Sequence, residues 1–85
     1  MFYQVLLRPS ARRDLDRLSD SDAERVMDAL EKLKQDPRGR GTRKLKGGRN
    51  EWRLRVGAYR VLYEIDDSHR KVLIFRIRHR REAYR

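Results

Sequence analysis

The side chains best equipped for chemistry gather in the second half of the chain. The stretch FRIRHRREAYR, residues 75–85, sets Arg76, Arg78, Arg80, Arg81 and Arg85 around one imidazole, His79, and one phenol, Tyr84. Further arginines recur two apart in EWRLRV, residues 51–56, as Arg53 and Arg55, and Arg60 is the second residue of YRVLYEI, residues 59–65. A guanidinium is a planar fork of donors that can hold two phosphate oxygens at once and keeps its charge, so it is a good anion clamp and a poor general base. The net charge is +10, and its placement is lopsided: residues 1–36 carry 7 Lys/Arg against 8 Asp/Glu, residues 37–85 carry 16 against 5. A cationic face of this kind attracts phosphate backbones by Coulomb steering and counterion release. Nucleic acid is therefore the leading partner, with an acidic protein second and a merely solubilising surplus of arginine as the bland alternative.

Composition narrows the rest. Eighty-five residues allow one domain, residues 1–85, with one modest core. At 38% hydrophobic and 42% charged the chain is polar, yet its apolar residues fall in periodic runs, which argues for a folded protein. The absence of cysteine excludes disulfides and thiolate zinc sites, and two histidines make a poor metal site, so neither a metal nor another cofactor is expected. No apolar stretch approaches the ~20 residues of a membrane span, and MFYQVLLRPS lacks the basic and apolar regions of a secretory signal, so a soluble cytoplasmic protein with no membrane partner is expected.

These groups need elements to position them. FYQVLL, residues 2–7, reads as a short strand. Ser10–Leu18 carries Ala11, Leu15 and Leu18 on one stripe of a short helix whose first turn accepts Pro9. A second helix runs to Asp36-Pro37; Ser19 to Asp22 offer caps, Ser21 with Glu24 fits a capping box, and Ala23, Val26, Met27, Leu30 and Leu33 form the buried face. The two helices predict a hairpin. RGRGTRKLKGGRN, residues 38–50, reads as a mobile cationic loop with at most a brief extended piece around Leu45. Its Arg43, Lys44, Lys46 and Arg49 are candidates for direct phosphate contact, an exposed solvated linker being the alternative; the glycines do not fit a Walker-type phosphate loop. Three strand-like runs follow, 51–56, 59–65 and 71–78, predicting an antiparallel meander. Alternation sorts Trp52, Leu54, Val56, Val61, Tyr63, Ile65, Leu73, Phe75 and Ile77 toward the helices. Arg53, Arg55, Arg60, Glu64, Arg76 and Arg78 fall on the open face, with Leu62, Val72 and Ile74 among them. The expected class is α+β, a helical hairpin packed on one face of a small, mainly antiparallel sheet.

This order of elements, with KLKG at 44–47, EWRLRVGAYRVLYEID at 51–66 and RHRREAYR at 78–85, resembles the RelE/ParE superfamily of bacterial type II toxins over nearly the whole chain. The tail looks like the RelE branch, which implies a ribosome-dependent endoribonuclease acting on mRNA in the ribosomal A site beside 16S rRNA. The ParE branch implies instead a gyrase inhibitor without nuclease activity. The resemblance also implies a cognate acidic antitoxin, in a heterodimer or heterotetramer. Carried over by position, it assigns Arg53 and Arg55 to paired basic positions facing mRNA, Arg60 to the second-strand arginine, Arg80 or Arg81 to the tail arginine and Tyr84 to the tail tyrosine. Arg76 and Arg78 join the RNA contacts. Because arginine cannot replace the basic lysine of the best-known member as proton acceptor, His79 becomes the first candidate for acid or base, with Tyr84 stacking or assisting and Glu51 or Glu64 as outsiders.

Overall fold

A computed structural model describes residues 2–47 and 50–83 of the chain. The first apolar run becomes β1 (Gln4–Leu7), and Pro9, whose fixed φ suits a first helical turn, opens α1 (Pro9–Asp16). Both elements are shorter than the apolar pattern suggests. Ser19, in extended conformation, caps α2 (Asp20–Gln35) by accepting the Asp22 N–H on its hydroxyl at 3.2 Å. The expected Ser21/Glu24 box is therefore displaced: Ser21 already lies inside the helix. Val26, Leu30 and Leu33 are buried, but Met27 is 42% exposed, because a stripe through 26, 30 and 33 leaves 27 on its flank. Asp36, extended before Pro37, ends the helix.

The basic loop supplies a strand that the sequence reading placed too late. β2 (Thr42–Lys44) adds to β3 (Glu51–Val56), bracketed by Arg55 N–H to the Gly41 carbonyl at 3.0 Å and Leu45 N–H to the Glu51 carbonyl at 2.9 Å. β4 (Tyr59–Asp66), β5 (Lys71–His79) and a short helix, α3 (Arg80–Ala83), complete the described elements. The five-stranded sheet has the order β1-β5-β4-β3-β2, with β1 parallel to β5 and the other pairs antiparallel. This is the expected α+β class.

Strand β5 corrects the face assignment. Tyr63 pairs with Ile74 and Leu62 with Arg76, so Phe75 is an extra residue in a β-bulge. The bulge shifts the alternation by one: Val72 and Ile74, at 0% exposure, and then Ile77 face the helices with Val61, Tyr63 and Ile65. Leu73 and Phe75, expected inward, are only half-buried and do not join the core. Tyr63 is fully buried with its phenol donating to the Pro37 carbonyl at 2.6 Å, and burial pushes its pKa up. Beyond β1 the free edge of β5 is closed by α1 and the residue before it. Arg8 N–H bonds the Ile74 carbonyl at 2.8 Å, the Ser10 hydroxyl the Phe75 carbonyl at 2.7 Å, and the Asp14 carboxylate accepts the Ile77 N–H at 2.9 Å.

At one end of the sheet Asp67, in the β4–β5 turn, ties three segments together. It accepts the Tyr3 phenol at 2.6 Å and both terminal nitrogens of Arg38 at 2.7 and 3.1 Å, while Arg38 lies over the Trp52 ring at 5.5 Å. The Arg38 hydrogen bond, followed by that of Tyr3, holds the Asp67 carboxyl at about 2, below the ordinary 3.8. A carboxyl depressed on folding contributes stability in full above its unfolded value and loses it as pH falls through the folded one. Stability should therefore decline between about pH 4 and pH 2, and Asp67→Asn should flatten that part of the profile in denaturant melts. An unchanged slope in the variant would remove Asp67 from the acid response.

Candidate functional site on the arginine face

Strand register brings the arginines into rows. Arg55 pairs with Arg60, and Arg60 with Arg78, so three cations cross the sheet side by side. The next row is Arg43, Arg53, Leu62 and Arg76, and beyond it Glu51 stands opposite Glu64 and Leu73. Directly opposed residues on one face have Cβ atoms about 5 Å apart, where like charges repel. Arg76 escapes this conflict: it makes an ion pair with Asp14 at 2.9 Å, and its terminal nitrogen donates to the same carboxylate at 3.2 Å.

Arg60 corrects the expectation of a solvated side chain, since it is only 2% exposed. It sits against the Gly57–Ala58 turn, at the end of β4 and β5 where α3 also packs. One terminal nitrogen donates to the carbonyls of Tyr59 at 2.9 Å and Gly57 at 3.2 Å, whereas Nε is buried without a partner. Among the described residues no carboxylate forms an ion pair with it. A buried guanidinium satisfied only by neutral carbonyls is costly, and an incoming anion relieves the cost. Exposed Arg55 and half-buried Arg78 flank it, so the row can surround one phosphate.

The remaining candidates divide. Arg43 shares the arginine face through its pairing with Arg53, but Lys44 pairs with Trp52 and so belongs to the helix side. Lys46 is exposed in the following turn, and Arg80 and Arg81 are exposed on α3. Arg49 and Tyr84 lie outside the described residues. His79 does not join the arginines. It pairs with Tyr59, which packs on the core, and lies two residues from buried Ile77, so the sheet turns it toward the helices. That parity was already present in the sequence. Asp14 was missed altogether, although an acid on the Ala11–Leu15–Leu18 stripe is a signal that some buried cation or N–H requires it. Among the described residues no cluster of three His, Cys, Asp or Glu is placed to hold a metal ion. No described helix is long and apolar enough to cross a membrane.

The same architecture occurs in solved toxins. The toxin–antitoxin complex RelBE2 from Mycobacterium tuberculosis contains a chain that matches with a TM-score of 0.83 at 34% identity, over 93% of this chain and 99% of that one. The archaeal RelE–RelB complex from Pyrococcus horikoshii matches with 0.83 at 25% identity, over 94% and 97%. Isolated E. coli RelE, at 19% identity, shares the fold with a TM-score of 0.80 over 96% and 95%. The class is thus the small α+β fold of RelE toxins. In sequence the chain is 36% identical over 86 residues to Toxin RelG of Mycobacterium tuberculosis, across 100% of this chain and 99% of that protein. A family model described as "ParE toxin of type II toxin-antitoxin system, parDE" matches residues 5–84. The chain belongs to the RelE/ParE superfamily and is a toxin of a type II toxin–antitoxin system.

Proposed function

We propose that this toxin is a ribosome-dependent endoribonuclease of the cytoplasm that cuts translated mRNA and so arrests translation. The observation that carries the reading is Arg60, a buried guanidinium between two further arginines that has no carboxylate partner among the described residues. In cleavage by internal attack the ribose 2′-oxygen bonds to the adjacent phosphorus as its proton leaves to a base. The bond to the 5′-oxygen breaks and that oxygen gains a proton, giving a cyclic phosphate and a free 5′-hydroxyl. Negative charge rises on the non-bridging oxygens in between, and Arg55, Arg60 and Arg78 form the fixed cationic cradle for it. Arg53 and Arg43 extend the track to the neighbouring backbone phosphate, Arg80 and Arg81 approach from α3, and Tyr84 offers a stacking ring or a proton. Glu51 and Glu64 are the groups on the arginine face able to accept a proton.

The mycobacterial and archaeal relatives were crystallised as toxin–antitoxin complexes. For this chain the corresponding partner is an acidic, partly disordered antitoxin in a heterodimer or heterotetramer. Its helix fits the groove of about 560 Å³ beside α2, where Ala29, Leu33, Leu54 and Val56 are lined up with Arg25 and Lys32. An extended acidic segment would cross Arg53, Arg55 and Arg60 and hold the toxin inert. The ParE description of the matched family favours a second reading, inhibition of gyrase without cleavage. Primer extension on mRNA after induction, run beside a gyrase supercoiling assay, separates the two. Cuts inside translated codons with supercoiling intact are expected; blocked supercoiling without cuts would move the chain to the ParE branch.

A further inference from the structure

His79 stands outside the arginine rows, and its contacts give it another task. Strand β5 ends at His79 and α3 begins at Arg80, which makes His79 the N-cap of that last turn. Its Nδ1 accepts the backbone N–H of Arg81 at 3.3 Å, the second N–H of the helix, which N-cap side chains commonly serve. The Arg80 N–H donates to the Ala58 carbonyl at 2.6 Å and fastens the same turn to the hairpin beside Arg60. The imidazole meets the Tyr59 ring edge to face, centroids 5.5 Å apart at 87°, and the Tyr59 phenol donates to Asp22 of α2 at 3.0 Å.

A ring nitrogen accepts a hydrogen bond only while it keeps its lone pair, and in the imidazolium both nitrogens carry hydrogen. We infer that His79 is a positioning residue: as the neutral Nε2–H tautomer it caps α3 and so aims Arg80 and Arg81 at the phosphate cradle, and its protonation releases them. The functional consequence rests on the nuclease reading; the cap does not. The charged and titratable groups around the cleft that His79 lines are Asp14 and Arg17 from α1 and its end, Tyr59 from β4 with Asp22 of α2 behind its phenol, Arg76 and Arg78 at its rim from the other face of β5, and Arg80 and Arg81 on α3 itself.

Two substitutions separate capping from proton transfer. In His79→Asn the amide oxygen can accept the same N–H without titrating, whereas His79→Phe keeps a ring against Tyr59 and has no acceptor. Single-turnover cleavage of mRNA on stalled ribosomes and hydrogen exchange at the Arg81 amide are followed together between about pH 5 and pH 8. In the parent, the protection factor of the Arg81 amide, its exchange taken relative to the intrinsic rate at the same pH, should fall about five-fold and cleavage slow about as much as the imidazole protonates. His79→Asn should hold both constant near the parent's high-pH values, and His79→Phe should show the low-pH behaviour throughout. Equal Arg81 exchange in all three proteins at both ends of the range would overturn the cap. An Asn variant that protects Arg81 but never cleaves would overturn the positioning role in favour of proton transfer by the imidazole. If exchange follows the expected pattern while no form of the protein cuts RNA, the cap is supported and the nuclease reading fails.

Discussion

Arg60→Met is expected to fold at least as well as the parent and to cleave RNA about 10²- to 10³-fold more slowly. The two halves of this result have one cause. Arg60 is 2% exposed, and among the described residues its Nε lacks a partner and its acceptors are the backbone carbonyls of Gly57 and Tyr59. Methionine refills most of the volume of the buried stem with a flexible apolar chain and removes a charge whose desolvation no carboxylate among the described residues repays. The freed Gly57 carbonyl lies in an exposed turn and can turn to water. In the reaction, however, the lost guanidinium is the central cation of the row formed with Arg55 and Arg78. A fixed cation at the site of charge development contributes on the order of 10²- to 10³-fold to the chemical step. Arg60→Lys keeps charge without the fork and should fall between the two. Thermal melts beside single-turnover cleavage provide the measurement. A destabilised but fully active Arg60→Met protein would show that Arg60 serves the fold alone.

Ile74→Lys should abolish folding, whereas the same change at the adjacent Leu73 should be tolerated. Ile74 is 0% exposed in the core with Val72, Val61 and Tyr63, so lysine there deletes apolar burial and leaves an ammonium without a partner. The combined cost is about 5 kcal/mol or more, the order of the whole stability of a small domain. Leu73 lies on the arginine side of the sheet, directly opposite Glu64, where an ammonium gains a cross-strand acidic neighbour. Circular dichroism and urea melts of both variants suffice. The reverse pattern, with Leu73→Lys unfolded and Ile74→Lys folded, is what uninterrupted alternation along β5 requires, and it would eliminate the bulge at Phe75.

How far the chain could be read from its residues depended on the range of the forces involved. The two helices were legible because apolar spacing, Pro9, Ser19 and the Asp36-Pro37 stop act within one or two turns. Period-two patterns gave β3 and β4 and the turns between the strands for the same reason. β2 was placed too late, since three residues, Thr42–Lys44, are extended chiefly because β3 offers them an edge. Of the candidate site, the co-facing of Arg53, Arg55 and Arg60 followed from alternation within single strands. Their alignment into rows with Arg43 and Arg78 needed the pairing register.

The sequence by itself therefore determined the α+β class, the cationic second half of the chain and the presence of arginines on one face of β3 and β4, all consequences of composition and local periodicity. It also placed His79 in phase with Ile77 and not with Arg78, because strand parity is a local property. The parallel docking of β1 on β5, the phase shift at Phe75 and the closing of the β5 edge by Asp14 were decided only by the tertiary structure. Each depends on which distant segment supplies a hydrogen-bonding partner. The burial of Arg60 belongs with them. Alternation fixes the side of the sheet on which a residue stands, but whether water reaches it there depends on what else packs at that end, and the hairpin turn and α3 meet where Arg60 would otherwise be solvated.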